Sequence, residues 1–551
     1  GEHSVSRSGR TRTAPASGQL PRVNLAFASC QNFEQAYYGA WARMIADDQA
    51  AAENERIHFV LHLGDFIYER LWDQQPGGDP QPRRLPDFPD GVSSEKSRRA
   101  VTLADYRHLY KRVLEDPHLQ AARARWPFVC VWDDHEFSNN AHQSYSTYGA
   151  EPVLEAQRKL DANQAWFEFI PAVLDELRQQ PSHGLRPVAL DGDAASRNQA
   201  ARDSLCIYRR LSWGGLLDIV LTDLRSYRSP HCLPQGFAES LGLPMTPVDL
   251  VELADAGSHY RQGNPPTELP YGDGSIPNPA RSRPPGTLLG ATQRNWFLDT
   301  LASSGARWKL WGNSLPLLPL RLDLGSLPFT DYQDSVFTID PWAGYPYEQA
   351  LLMQALLERG VGGVVSFSGD HHMHAAGTVT PRASDPDGRP VAVDFTVTGI
   401  SSTPMFEEVE AVARGRHSAF QPLVYRQEDD TVLPVWNATL LRGALAAYAF
   451  AQTGVRALLD WLGPNPSNPG LRYVDAEANG YGLASFDAQQ LEVQLVTMSD
   501  CKVPFSAPPP VRHRAVFVLP HWQAGESPDL GGPRFEGGAP FPFESEATEP
   551  A

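Results

Sequence analysis

The sequence predicts an α/β protein built on parallel or mixed sheets, and three observations support this fold class. Several short apolar runs end abruptly in a polar residue, as IHFVLHL does at Gly64-Asp65. Apolar residues recur at helical spacing over Phe33–Asp48, between two strand-like runs, which is the rhythm of a β-α-β unit. Candidate ligands are scattered from Cys30 to His372, so one sheet system must gather them.

Four predicted strands each end in side chains that can bind a metal ion. Such strand ends lie at the carboxyl edge of a sheet, where α/β proteins place their ligands. Hard carboxylate and phenolate oxygens, borderline imidazole and soft thiolate together suit a trivalent or divalent transition metal beside a harder cation. The strands and the residues that follow them are Val23–Ala28 with Cys30, Ile57–Leu63 with Asp65 and Tyr68, Phe128–Trp132 with Asp133, Asp134, His135 and Glu136, and Val364–Ser368 with Asp370, His371 and His372.

Composition excludes several classes of protein. The 551 residues are 42% hydrophobic and 20% charged, as in a soluble globular protein. A formal charge of −18 disfavours non-specific nucleic-acid binding, and it would repel anionic substrates unless metals and arginines supply local positive charge. The sequence lacks GxxxxGK[ST], GxGxxG, HExxH and GxSxG motifs, which argues against P-loop, Rossmann, zincin and serine-hydrolase chemistry.

The five cysteines are widely separated and contain no CxxC, so their spacing excludes a zinc ribbon or thioredoxin motif. The odd count leaves at least one thiol unpaired, which fits Cys30 as a ligand. Cys130 lies in an apolar strand and is predicted to be a core thiol. Cys206, Cys232 and Cys501 could include a disulfide whose pairing the sequence does not define.

We predict one domain over residues 21–524, after a disordered arm at 1–20 and before a flexible acidic Gly/Pro-rich tail at 525–551. The arm has no apolar h-region, so it is not itself a signal peptide, although a mature exported chain would look the same. A helical insertion at 436–463 is the longest helical stretch. Arg442 and Arg456 interrupt it, which favours a core helix or lid over a membrane span.

The remaining elements follow from periodicity and turn residues. Thr102 and Asp105 predict a capped helix start. Residues 228–288 are rich in Pro and Gly and are predicted to be an irregular cover over the site. The other predicted elements are a helix at Glu151–Leu177, a hairpin at Leu205–Tyr227, a helix at Thr292–Ser303, a strand at Trp308–Trp311, a helix at Tyr347–Arg359, and antiparallel strands of a second sheet at Val391–Thr398 and Tyr481–Thr497.

The motifs Cys30-Gln31, LGDFIYE, WDDHEFSNN and SGDHHMH, in this order, resemble the signature of the PhoD-like alkaline phosphatases, a branch of the metallophosphoesterases. The segments TLADYRHLY, LTDLRSYRS and DFTVTGISS extend the resemblance from about Val23 to Met498. It implies a four-layer α/β/β/α sandwich with two mixed β-sheets. It also implies hydrolysis of phosphate mono- and diesters, with metal-held hydroxide attacking phosphorus, by an enzyme exported to the periplasm or secreted.

A dinuclear site needs one carboxylate that bridges both cations, and Asp65 is the best candidate. The resemblance implies Fe(III) bound by Asp65, Tyr68, Cys30 and His372. The second site would use Asp134, where related enzymes have Asn, and would hold one or two Ca²⁺. Asp370 is the other predicted ligand there, and Zn, Co or Mn could replace these metals.

Residues around the metals have predicted roles in catalysis and binding. His135, next to a ligand, is placed to protonate the leaving alcohol. Asn139, Arg225 and Arg228 are candidate phosphate contacts, whereas Asp133 is expected to support its loop. His371 stands where the family more often has a small apolar residue, and it could add a metal or phosphate contact.

Two alternative functions remain open at this stage. The nearer one is a phospholipase D-like or teichoic-acid phosphodiesterase. The other is a non-catalytic metal- or phosphate-binding protein, against which the intact His135 argues. Expected partners are small or polymeric phosphate esters, with no nucleic-acid-binding module and no transmembrane segment, and the sequence does not define the oligomeric state.

Overall fold

The computed structural model describes residues 7–149, 151–170, 172, 184–234, 236–271, 273–383, 385, 387–416, 419–429 and 431–544. Its strands are β1 Val23–Ala28, β2 Phe59–Leu63, β3 Arg70–Trp72, β4 Val92–Ser93, β5 Ser97–Arg99, β6 Phe128–Val131, β7 Tyr145–Ser146, β8 Val153–Leu154, β9 Arg209–Trp213, β10 Leu217–Leu221, β11 Thr246–Pro247, β12 Glu268–Tyr271, β13 Gly274–Pro277, β14 Trp308–Gly312, β15 Arg321–Leu322, β16 Ser335–Val336, β17 Val364–Ser368, β18 His374–Val379, β19 Ala392–Thr396, β20 Tyr425–Glu428, β21 Thr431–Pro434, β22 Leu471–Asp475, β23 Gly480–Phe486, β24 Gln490–Met498, β25 Val511–Pro520 and β26 Gly531–Gly537. Its α-helices are α1 Gly39–Ala50, α2 Leu103–Val113, α3 Pro117–Arg125, α4 Ala156–Phe169, α5 Ala194–Arg202, α6 Phe237–Ser240, α7 Val248–Ala256, α8 Gly290–Ser303, α9 Pro346–Glu358, α10 Met405–Arg416, α11 Gln421–Val424, α12 Trp436–Arg442, α13 Ala444–Thr453 and α14 Ala457–Leu462.

Two mixed sheets, each seven-stranded within the described residues, form the centre of the fold. The first has the order β26-β25-β24-β23-β1-β2-β6, in which β1, β2 and β6 are parallel and β23 to β26 form an antiparallel meander. The second has the order β22-β18-β19-β17-β14-β10-β9, with β10, β14, β17 and β19 parallel. Both sheets therefore present several parallel strand ends, where loops can build a site.

The sheets pack face to face through aromatic side chains. Phe27 on β1 stacks on Phe367 on β17 with ring centroids 4.1 Å apart, and Trp308 meets Phe486 edge-on at 5.7 Å. Helices cover the outer faces, with α1, α2 and α3 on the first sheet and α8 and α9 on the second. The predicted four-layer sandwich with two mixed sheets is confirmed.

Several local predictions match the structure. Thr102 caps α2 in a reciprocal capping box with Asp105. The side chain of each residue accepts a hydrogen bond from the backbone N–H of the other. β9 and β10 form the predicted hairpin. The predicted helix at 151–177 is found as α4 over Ala156–Phe169, and it starts later than predicted because Val153–Leu154 form β8. Residues 171 and 173–177 lie outside the described part of the chain.

The helical insertion at 436–463 differs from the prediction because it is three short helices, α12 to α14. Gly443 and Gly454 separate them with backbone φ angles of 96° and 72°, which glycine adopts without the steric cost that other residues meet. No helix in the described residues has the length and apolar character needed to cross a membrane. The predicted cover at 228–288 is also partly regular, since it contains α6, α7 and the β12–β13 hairpin.

The C-terminal predictions need two corrections. The segment at 481–497 forms β23 and β24 of the first sheet, because β23 pairs with β1. The segment at 391–398 contains β19, which lies in the second sheet as predicted but is parallel to β17. The tail at 525–551 is not irregular throughout, because β26 adds to the edge strand β25 and Phe541 stacks on Phe450 at 4.9 Å. Alternating Arg534, Phe535 and Glu536 signalled this strand, but the surrounding glycines obscured it.

The N-terminal arm is exposed and lacks helix or strand over residues 7–20. It still contacts the domain, since the Arg10 backbone N–H donates to the Ala124 carbonyl at 3.1 Å and the Gly215 N–H to the Gln19 carbonyl at 2.8 Å. All five cysteines are free thiols, so Cys206, Cys232 and Cys501 form no disulfide.

Candidate metal centre

The predicted ligands follow the strands β1, β2, β6 and β17, and the chain turns sharply after three of these strands. Cys30, Asp65, Asp370 and His372 have φ angles of 54°, 55°, 66° and 49°. The left-handed region is unfavourable for residues with a side chain, and such backbone strain concentrates at functional sites. These turns bring the four side chains together at one pocket. Asp65, Asp370 and His372 line it, and Cys30 lies behind them in contact with Asp65.

A first group of ligand atoms gathers around one oxygen of Asp65. The Cys30 Sγ lies 3.4 Å from Asp65 Oδ2, and the Tyr68 hydroxyl lies 3.3 Å from the same oxygen. The Tyr68 hydroxyl is also 3.1 Å from His372 Nε2 and 2.7 Å from the Ser402 hydroxyl. Ligand atoms of Cys30, Asp65 and His372 all lie within 4.8 Å of one another, close enough for one ion.

A second group is entirely carboxylate. Single oxygens of Asp65, Asp133, Asp134 and Asp370 lie within 4.8 Å of one another, and Asp65 belongs to both groups. One oxygen of Asp134 is buried without a hydrogen-bond partner in the described residues. A buried, unpaired carboxylate oxygen is costly, so this atom fits a role as a ligand of a bound cation.

The pKa values of the acidic groups in the pocket also fit a site for bound cations. Burial, and then the charges of neighbouring carboxylates, raise the pKa of Asp65 and of Asp370 well above the ordinary value. Burial and the charge of Asp65 likewise raise the pKa of the Cys30 thiol. Buried acids held this close repel one another when ionised, and bound cations would reverse that penalty. The donor set therefore fits two metal ions.

His135 is held beside these groups by Glu69. Its ring lies 4.2 Å from the Tyr68 ring, and its Nδ1 lies 2.6 Å from Glu69 Oε2. Burial acts to raise the pKa of Glu69, but His135 and Arg158 outweigh it and hold the pKa below the ordinary value. Glu69 is therefore ionised and accepts a hydrogen bond from the Nδ1–H of His135. The other ring nitrogen, Nε2, is then free to face the pocket.

The pKa of His135 is raised well above its ordinary value. Burial alone would lower it, but the charges of Asp134, Glu69 and Asp65 dominate. These charges favour the protonated imidazole, which is the form that a proton donor requires.

Two carboxylates in the motifs, Glu69 and Glu136, had no predicted role of their own. Glu69 also accepts the backbone N–H of Asn139 at 2.9 Å and the Tyr148 hydroxyl. Glu136 accepts the backbone N–H groups of Asp65, Phe66 and Asp133 at 3.0, 2.6 and 2.8 Å, and burial raises its pKa to about 7. The sequence feature that could have indicated a role for Glu69 and Glu136 is their position as acidic residues in the motifs LGDFIYE and WDDHE.

The predicted phosphate contacts differ in position. Asn139 lines the pocket. Arg225 is buried and donates two hydrogen bonds, of 2.7 and 2.9 Å, to the Asp133 carboxylate. This contact is in agreement with a supporting role for Asp133. The guanidinium of Arg225 also lies 3.8 Å from the Asp134 and Asp370 carboxylates, so it supports the ligands and does not line the pocket.

Arg228 does not reach the site. Its side chain is fully buried, and it donates to the Asp340 carbonyl at 2.7 Å and to the Tyr345 hydroxyl at 3.0 Å. An ion pair of 3.1 Å with the Asp340 carboxylate completes its surroundings. The predicted contact between Arg228 and phosphate is therefore wrong in this geometry.

The pocket between these groups has a volume of about 260 Å³. Asp65, Tyr68, Asp134, His135, Asp370 and His372 line it, together with Asn139, His371, Arg70 and Trp72. His371 is buried, and within the described chain neither of its ring nitrogens has a hydrogen-bond partner.

Comparison with known proteins supports the assignment of family. The chain is 26% identical over 401 residues to alkaline phosphatase D of Bacillus subtilis (strain 168), covering 73% of this chain and 54% of that protein. It thus spans about half the length of this curated relative. A solved structure described as PhoD superposes with a TM-score of 0.60 at 21% identity, covering 98% of this chain and 76% of the other. A purple acid phosphatase from yellow lupin (Lupinus luteus) seeds is more distant, with a TM-score of 0.38 at 9% identity.

The family model described as PhoD-like phosphatase matches residues 25–433, which is most of the chain. The matched region contains every candidate metal ligand, from Cys30 to His372. The chain belongs to the PhoD-like phosphatase family.

Proposed function

We propose that this chain hydrolyses phosphate mono- and diesters at a site that binds two metal ions. The observation that carries the proposal is the position of Asp65, whose carboxylate belongs both to the thiolate-imidazole group and to the carboxylate group. A shared carboxylate is what a dinuclear centre requires to fix the separation of its metals.

Fe(III) would be held by Cys30, Asp65, Tyr68 and His372, since phenolate and thiolate suit that ion. Ca²⁺, as one or two ions, would be held by Asp65, Asp134 and Asp370, with Zn, Co or Mn as possible substitutes in either place. When bound, these cations would acidify a water molecule, neutralise the oxygens of the ester and orient it for in-line displacement.

The chain's own residues would supply the remaining chemistry. His135 would give its Nε2 proton to the departing alcohol oxygen, while Glu69 holds the ring and stabilises its positive charge. Asn139 would contact the phosphate through its side-chain amide at the pocket wall. Glu136 and Arg225 would position the ligand loops without touching the substrate.

The Glu69–His135 pair also argues against a non-catalytic binding protein, because a metal store has no use for an oriented proton donor. The proposal further includes export of the chain to the periplasm or medium, which immunodetection in cell fractions would test. Phospholipase D-like or teichoic-acid diesterase activity is a narrower form of the same chemistry.

The test is hydrolysis of p-nitrophenyl phosphate and bis-p-nitrophenyl phosphate by chelator-treated protein before and after iron and calcium are restored. We expect turnover of both esters only in the metal-loaded protein. His135→Gln should lower kcat about 10²–10⁴-fold with the metals retained, whereas His259→Gln, at an exposed position, should be neutral. No turnover in any metal-loaded sample, or a His135→Gln variant as active as the parent chain, would contradict the proposal.

A further inference from the structure

One wall of the pocket carries a cationic side chain that is distinct from the buried arginines Arg225 and Arg228. β3 follows the LGDFIYE motif directly, and it places both Arg70 and Trp72 at the pocket. Trp72 is 43% exposed, and its ring lies 4.1 Å from the Arg70 guanidinium carbon. The Arg70 Nε donates to the Ser97 hydroxyl at 3.1 Å, which fixes the side chain, and within the described residues its terminal nitrogens have no hydrogen-bond partner.

A second arginine stands directly opposite. In the β3–β5 ladder Arg70 pairs with Arg99, and the two guanidinium carbons lie 5.4 and 4.8 Å from the ring of the same residue, Tyr148. Within the described residues neither arginine has a carboxylate within 4.0 Å. Like charges directly opposite on paired strands are destabilising, so this arrangement costs stability unless an anion lies between or beside them.

The two arginines are also distinct from the groups that surround the metal ligands. Arg225 and Arg228 are already paired with buried carboxylates, whereas Arg70 and Arg99 are half-buried and unpaired. On a chain with a formal charge of −18, Arg70 at the pocket wall and Arg99 on the neighbouring strand provide the local attraction that an anionic substrate needs.

We propose that Arg70 and Arg99 form a second anion subsite, next to the metal pocket, for a phosphate ester that carries a further anionic group. Arg70 binds that group from the pocket wall and Arg99 adds charge from the neighbouring strand, while Trp72 covers the spacer between the two anions. The inference deepens the proposed function and rests on it for the position of the reacting phosphate.

The experiment compares the monophosphate and bisphosphate of propane-1,3-diol, and the same pair for butane-1,4-diol, with the metal-loaded full chain. We expect kcat/KM at least tenfold higher for one of the bisphosphates than for its monophosphate, and an advantage that shrinks as salt is raised. Arg70→Gln and Arg99→Gln should each reduce that ratio several-fold. Arg112→Gln, at a half-exposed arginine on α2 that pairs with Glu115, should leave the ratio unchanged.

Binding of non-hydrolysable phosphonates separates this inference from the proposed function. Calorimetry would compare propane-1,3-bisphosphonate and butane-1,4-bisphosphonate with the corresponding monophosphonates on the same proteins. Tighter bisphosphonate binding that depends on Arg70 and Arg99 would support the subsite even in a protein without turnover, which would refute only the proposed hydrolysis. Turnover with equal kcat/KM for mono- and bisphosphates, or bisphosphonate binding unchanged in both variants, would overturn the subsite.

Discussion

Replacing Glu69 by Gln isolates the role of the carboxylate that holds His135. Gln keeps the size of the side chain but removes the charge from a 2.6 Å contact with the imidazole Nδ1. Glu69 is fully buried, so solvent does not screen this loss. Hydrogen bonds to charged groups contribute about 1.5–3 kcal/mol, which corresponds to a decrease in kcat of about 10–150-fold for leaving groups that need a proton.

The assay is a series of esters with increasingly basic leaving groups, from 2,4-dinitrophenyl through p-nitrophenyl and phenyl to ethyl phosphate. Because a good leaving group departs without protonation, Glu69→Gln should slow ethyl and phenyl phosphate most and 2,4-dinitrophenyl phosphate least. Metal content should equal that of the parent chain. Glu168→Gln, which removes a surface partner of Arg107, provides the matched control.

The same variant has an expected pH signature. Glu69 is one of the charges that raise the pKa of His135, so its neutralisation lowers that pKa. A proton donor is lost above its pKa, and the alkaline limb of kcat/KM should therefore move to lower pH. An equal loss of rate for every leaving group, or an alkaline limb that does not move, would refute the assignment of His135 as the proton donor positioned by Glu69.

Two further predictions concern stability. Arg225→Met removes the buried arginine that pairs with Asp133 and one of the two buried arginines that pair with Asp340, so the free energy of unfolding should fall by about 3–5 kcal/mol in urea titrations. A loss under about 1 kcal/mol would contradict the supporting role of Arg225. The second prediction concerns metal-free protein, in which the pKa values of Asp65 and Asp370 are raised. The folded state then binds more protons than the unfolded state, so the free energy of unfolding should decrease as pH rises above the ordinary carboxyl range. Because metal ions should remove this decrease, the rise in Tm on adding them should grow with pH; a rise in Tm independent of pH would argue against these carboxylates as ligands.

The convergence of the candidate ligands was predictable because their signal is local. An apolar run that stops at Cys30, Asp65, Asp134 or Asp370 marks a strand end, and parallel strands bring their ends to one edge. The four-layer fold required the resemblance in addition, since strand periodicity alone does not assign strands to two sheets. For this reason the segment at 481–497 was placed in the wrong sheet.

The supporting residues were not predictable from sequence because their role depends on distant partners. Arg225 follows a strand end, as a phosphate-binding residue would, but Asp133 and Asp340 enclose it from other parts of the chain. Glu69 acquires its role only when the β6 loop brings His135 beside it. The break at Gly443 likewise reflects close packing on Asp323, which no local pattern reveals.

The central claim is that the Asp65 carboxylate is shared by two metal ions, and elemental analysis of purified variants tests it most directly. In protein prepared without chelator we expect near-stoichiometric iron with a tyrosinate-to-Fe(III) absorption band, together with calcium. Cys30→Ser should lower iron selectively, Asp370→Asn should lower calcium selectively, and Asp65→Asn should lower both. An Asp65→Asn protein that loses only one of the two metals, or keeps both, would contradict the account.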